Sequence, residues 1–197
     1  MMFSVEREHT KAVEERLTAK MVRILNLVAA CLLGMLISCT DMGSVAPPEP
    51  VISSDDALFR KITLSDPFTS YTLFPKVDSV TSGSLNGSTA HQPLVRVSMN
   101  TKAFGALRNG SLPTVGGFPD GSVVFKQVIV NGQTVIYAII LKDSSNPLSG
   151  NGWLWAEFHP DGTPAFSVTN RGVGCIGCHS LEQGPQHDYV RTFERQR

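Results

Sequence analysis

From residue 94 onward the chain reads as short runs of alternating or β-branched residues, punctuated by Gly, Pro, Asn and Asp. Residues 94–99 (LVRVSM) form a short strand candidate. Residues 101–108 form a short helix candidate, ended by Asn109-Gly110. Phe118-Pro119-Asp120-Gly121 is a turn leading into residues 122–130, a β-branched strand. Asn131-Gly132 follows, the strongest two-residue hairpin signal, and residues 133–141 return. Such a turn predicts pairing of Val130 with Gln133, Val128 with Val135 and Lys126 with Tyr137. Both faces of this hairpin are mostly apolar, which predicts a central place in a sheet. Residues 153–159 form a third strand. Trp153, Trp155, Glu157 and His159 share one face of it; Leu154, Ala156 and Phe158 share the other. Pro160-Asp161-Gly162 turns into a weaker strand over 163–168. The expected class is α+β, mainly β: an antiparallel sheet with a few short helices.

The N-terminal part follows another pattern. Residues 24–37 are apolar except for Asn26, too short a run for a bilayer core needing about 20 residues. With Lys20 and Arg23 in front, the run matches the apolar region of a secretory signal, so residues 1–38 are read as a signal peptide with Met21 a better start than Met1. It closes on Leu36-Ile37-Ser38-Cys39, which resembles the bacterial lipobox and makes Cys39 the expected lipidation site. Residues 39–56, rich in Pro, Ser and acids, read as an extended linker between that anchor and a domain over 57–197. The expected location is the periplasmic side of a bacterial envelope. The membrane is met only through lipid, and Asp41 mildly favours the outer membrane.

Composition narrows the function classes. The 197 residues carry 17 Lys+Arg against 17 Asp+Glu, and no basic excess exists to hold a phosphate backbone. A content of 42% hydrophobic and 17% charged residues argues against disorder. Of the four cysteines, Cys31 lies in the signal and Cys39 takes lipid, which leaves Cys175 and Cys178.

Cys175-Ile176-Gly177-Cys178-His179 is C-x-x-C-H, the attachment pattern of c-type haem. If the segment is one helical turn, both thiols lie on one face and reach the two vinyl groups of one porphyrin, and the adjacent imidazole ligates the iron. A structural zinc site would need His91, His159 or His187 to complete four ligands. A thioredoxin-like redox pair would need a βαβ context. Export favours haem c, one per chain.

Further pieces carry a family resemblance from about Tyr71 to Arg195. In order they are Ser88-Thr89-Ala90-His91, Val97-Ser98-Met99-Asn100, Phe118 to Lys126, Leu141-Lys142-Asp143, Gly152-Trp153-Leu154-Trp155-Ala156, Pro160-Asp161-Gly162, the haem motif, and Asp188-Tyr189-Val190. In order and spacing they resemble the cytochrome P-460 family. The resemblance implies an exported, mainly β monohaem protein, often a homodimer. It makes Cys175 and Cys178 the thioether residues and His179 the axial ligand. The family's namesake members oxidise hydroxylamine on a haem cross-linked to a lysine, and Lys126 is the matching position. Related cytochrome c′-beta proteins bind nitric oxide on the same fold.

Two departures weigh against the oxidase reading. Gln127 stands where the family has a glutamate, and residues 134–141 contain no carboxylate. Only Tyr137 and Gln127 of the hairpin remain to take up protons, so Tyr137 is the candidate distal residue. Among sixth ligands, Met99 is the one methionine of the domain. His91 reads as a surface or structural residue, and His159 and His187 as pointing to solvent. An open iron position is therefore expected, with nitric oxide or hydroxylamine as ligand and an unidentified redox partner. The alternative is a membrane-anchored electron carrier with six-coordinate haem.

Overall fold

Ser54 opens the first helix: its hydroxyl accepts from the Ala57 N–H at 3.2 Å, and Asp55 and Asp56 follow in the first turn, where carboxylates complement the helix dipole. The computed structural model describes residues 51–74, 80–83, 88–181 and 186–191. The helix, α1 (Asp55–Arg60), runs on into a π-helical turn, Lys61–Ser65. Ile52 is buried, and its carbonyl accepts from Asn146 Nδ2 at 2.9 Å. Asp55 accepts from Ser167 Oγ and Val168 N, each at 2.7 Å. Residues 52–56 therefore belong to the folded unit, and the linker expected to run to residue 56 stops short of Ile52. The acids read as linker composition are a helix N-terminus. The expected signal segment, Cys39 and the rest of the linker lie outside the described residues.

Strands β1 (Thr72–Leu73), β2 (Thr81–Ser82), β3 (Leu94–Met99), β4 (Val123–Val130), β5 (Gln133–Lys142), β6 (Trp153–Phe158) and β7 (Pro164–Phe166) form one antiparallel sheet. Its order is β1-β3-β4-β5-β6-β7, with β2 also on β3. The hairpin β4–β5 is central, as its two apolar faces predict. The short helix α2 (Thr101–Ala106) follows β3. Asn100 organises that corner: its Oδ1 accepts from the N–H groups of Ala103 and Val123, and its Nδ2 donates to Asp66 and to the Gly121 carbonyl.

The expected hairpin register holds only at the turn. Val130 pairs with Gln133, but the register shifts between Val128 and Ile129. Beyond that bulge Val128 pairs with Ile136, Gln127 with Tyr137 and Lys126 with Ala138. The extra residue turns Tyr137 to the sheet face opposite Lys126.

The two faces build two cores. On one, Phe125, Ile139, Leu154 and Phe158 pack under Leu58 and Ile62 of the α1 region, with Val168. Phe68 stacks on Phe125 at 4.5 Å, and Tyr137 leans on both rings. On the other face lie Val97, Met99, Val124, Ile140, Trp153 and Trp155, with Ala103 and Ala106 of α2.

Candidate functional site

The C-x-x-C-H segment folds as one short helix, α3 (Cys175–His179). Glycines shape its approach. Gly172 has φ +73°, and a Cβ there would stand 2.5 Å from the Trp155 ring, so only glycine lets this turn pass so close to β6. The Gly172 carbonyl then accepts from the N–H groups of Cys175 and Ile176. Both thiols are free, and one helical turn separates them.

Beneath α3 lies a cavity of about 320 Å³ over the β4–β6 face of the sheet. Cys175, Cys178 and His179 line it on one side, Val124, Ala138 and Ile140 on the sheet. His179 meets the Trp155 ring edge-on, centroids 4.9 Å apart. Its Nδ1 lies 2.8 Å from the Tyr189 carbonyl, which only accepts, so Nδ1 carries the proton and Nε2 keeps its lone pair for a metal. Burial first, and then the Lys126 charge, push the imidazole pKa down to about 3, against the pull of the Tyr189 carbonyl. A neutral imidazole with a free Nε2 is the form that ligates iron.

The sheet side of the cavity holds a polar chain that the sequence reading did not assemble. Lys126 Nζ stands 3.1 Å from His91 Nδ1, and His91 Nε2 stands 2.9 Å from Glu157 Oε1. The partners set the tautomer: the ammonium donates to Nδ1, and Nε2–H donates to the carboxylate. Burial lowers the His91 pKa, opposed by the Glu157 hydrogen bond and assisted by the Lys126 charge. Burial pushes Lys126 down to about 8, with Glu157 opposing. His91, read from the sequence as a surface or structural residue, has a side chain 17% exposed and sits between two charged groups of the cavity. Glu157 supplies the carboxylate missing from β5, and it comes from β6, on the Trp153/Trp155 face. The alternation along β6 was the available signal, since it puts Glu157 beside two tryptophans.

Other candidates fall elsewhere. Tyr137 is not a cavity residue: the bulge turns it into the Phe68–Phe125 cluster. Met99 is fully buried among the core residues of its face, away from the cavity lining. His159 is exposed as expected, whereas His187 is half-buried rather than solvent-facing. Trp153 and Trp155 are both core residues, and Trp155 also lines the cavity.

The donor set fits a haem. Two thiols one turn apart, a neutral imidazole and apolar walls surround a single cavity. The competing readings lose their footing. Burial, Glu157 and Cys178 push the Cys175 thiol up to about 11, the reverse of an activated redox cysteine. No group of three or more His, Cys, Asp or Glu side chains comes together to hold a metal ion among the described residues. No curated protein gives a significant match to the chain. A family model described as Cytochrome P460 matches residues 78–192.

Proposed function

This chain belongs to the cytochrome P460 family of c-type haem proteins, and from that premise we propose that it binds and oxidises a small nitrogen species of the hydroxylamine kind at an open iron position. In this reading Cys175 and Cys178 would hold one haem through thioethers and His179 would ligate its iron. The observation that carries the reading is the Lys126–His91–Glu157 chain sharing one cavity with His179. Haem, when bound, supplies an iron that coordinates the small molecule and accepts its electrons. The residues of this chain handle the protons. Oxidation of an N–H or O–H bond releases protons, and the half-buried Glu157 carboxylate beside a neutral imidazole can take them up. His91 holds the Glu157 carboxylate at its Nε2 and the Lys126 ammonium at its Nδ1, which keeps the acceptor in place. Apolar walls from Val124, Ala138 and Ile140 limit water. Electrons leave to an external redox partner.

His91 is held at both ring nitrogens, which supports an iron position open to substrate over one closed by a sixth ligand. Lys126 keeps its place as the candidate haem cross-link, since its amine reaches into the cavity. Export and acylation of Cys39 are part of the same proposal, supported by the apolar run and the Leu36-Ile37-Ser38-Cys39 motif.

The test is turnover by the haem-matured protein with hydroxylamine and an artificial electron acceptor. Acceptor reduction that depends on hydroxylamine is expected. Nitric oxide binding without any hydroxylamine turnover would replace the oxidase by a gas-binding protein. A low-spin, six-coordinate haem inert to both would leave an electron carrier.

A further inference from the structure

Asp188 lies outside the cavity lining yet is tied to the haem ligand through one residue. Its Oδ1 accepts from Lys142 Nζ at 2.7 Å and from Trp153 Nε1 at 3.2 Å, and its Oδ2 accepts from the Phe118 N–H at 2.9 Å. These donors come from the end of β5, the start of β6 and the turn before β4. The carboxylate is 13% exposed and Lys142 is 12% exposed, and the ammonium also sits 5.0 Å from the Trp153 ring centroid. Gly117 leaves room for it: a Cβ there would stand 2.7 Å from Oδ2.

The backbone held in this way is strained. Asp188 has φ 54° and Tyr189 φ 64°, left-handed values that a non-glycine residue rarely adopts. Two consecutive residues keep such angles only where the surroundings over-determine them. Here the Asp188 carboxylate fixes one end of the segment, and buried Val190 fixes the other. Between them the Tyr189 carbonyl is aimed at His179 Nδ1, 2.8 Å away.

We propose that Asp188 is a positioning residue for the iron ligand: by clamping residues 188–189 to the sheet it holds the Tyr189 carbonyl on His179 Nδ1–H, and so sets the ring orientation and basicity of His179. The proposal rests on the haem reading above. Hydrogen bonding at Nδ1 raises the basicity of Nε2, strengthens the bond to iron and favours the oxidised metal. The clamp therefore tunes the iron from a carboxylate that never touches the haem site.

The test compares haem-matured wild type with Asp188→Asn and Lys142→Met. The readouts are the ferrous iron–histidine stretching band in resonance Raman and the reduction potential. The expected result is a shift of the band to lower frequency with a rise in potential, larger in Asp188→Asn and same-signed in Lys142→Met, which keeps the carboxylate and two of its three donors. If Asp188→Asn does not fold, Lys142→Met alone decides. Variants that melt at lower temperature but keep the wild-type band and potential would show a merely structural role and overturn the proposal. A wild-type protein without covalent haem, seen first in its pyridine haemochrome spectrum, would instead overturn the haem reading and this inference with it.

Discussion

The two faces of the sheet use the same strands to opposite ends. On one, Phe125, Ile139, Leu154 and Phe158 meet α1 and Phe68 in a closed aromatic and aliphatic core. On the other, neighbouring residues of the same strands leave a cavity roofed by α3, and Lys126 and Glu157 stand in it. Alternation makes this division of labour possible, because one residue's step along β4 exchanges Phe125 for Lys126. The closed face carries stability that the open face gives up by exposing a lysine, a histidine and a glutamate to a cavity. The comparison teaches where each kind of substitution will register.

The largest effect is expected from Glu157→Gln. Removing the proton acceptor should slow hydroxylamine-dependent acceptor reduction by about 10²–10⁴-fold. The melting temperature should stay near wild type, since the amide can still accept from His91. A variant with undiminished turnover would show that the open face does no proton chemistry. Next, Phe125→Ala on the closed face should cost about 3–5 kcal/mol in denaturant unfolding, with the haem spectrum of the surviving folded protein unchanged. A spectral change there would break the separation of the faces.

Protonation offers a finer test on the haem-free protein. The folded chain resists protonating His179 until about pH 3, whereas the unfolded chain takes that proton near the ordinary value of 6.5. Between those values the unfolded state binds the extra proton. Stability is therefore fully present above 6.5 and falls as pH is lowered, by about 1.4 kcal/mol per pH unit well inside the window. Urea unfolding between pH 7 and 5 should show the slope, and His179→Gln should reduce it to the part that His91, also lowered by burial, contributes. The smallest effect belongs to the closed side. The Tyr71 hydroxyl donates to the Asp66 carbonyl at 2.9 Å, and burial first and then Asp66 raise its pKa. Tyr71→Phe should cost about 1 kcal/mol in the same unfolding assay at neutral pH, and a cost near zero would show that this bond is matched by solvent.

Local signals carried most of the fold. Strand β3, the Asn131-Gly132 hairpin and the two faces of β6 follow from alternation and turn chemistry over a few residues, and the haem motif lies within one helical turn. The bulge escaped because Val128, Ile129 and Val130 are all apolar, so periodicity is blind to an extra residue there; Tyr137 was misplaced as a result. Helix α1 escaped because Ser54-Asp55-Asp56 reads equally as linker composition and as an N-terminus. The polar chain of the cavity was beyond local reading. His91 and Glu157 stand 66 residues apart and meet only when β6 takes its place in the sheet.

The coordination state of the ferrous haem tests the central claim most directly. The proposed open iron position, in the cavity that holds Lys126, His91 and Glu157, predicts a five-coordinate, high-spin absorption and resonance Raman spectrum that changes when nitric oxide or hydroxylamine is added. A six-coordinate, low-spin spectrum indifferent to both would contradict it.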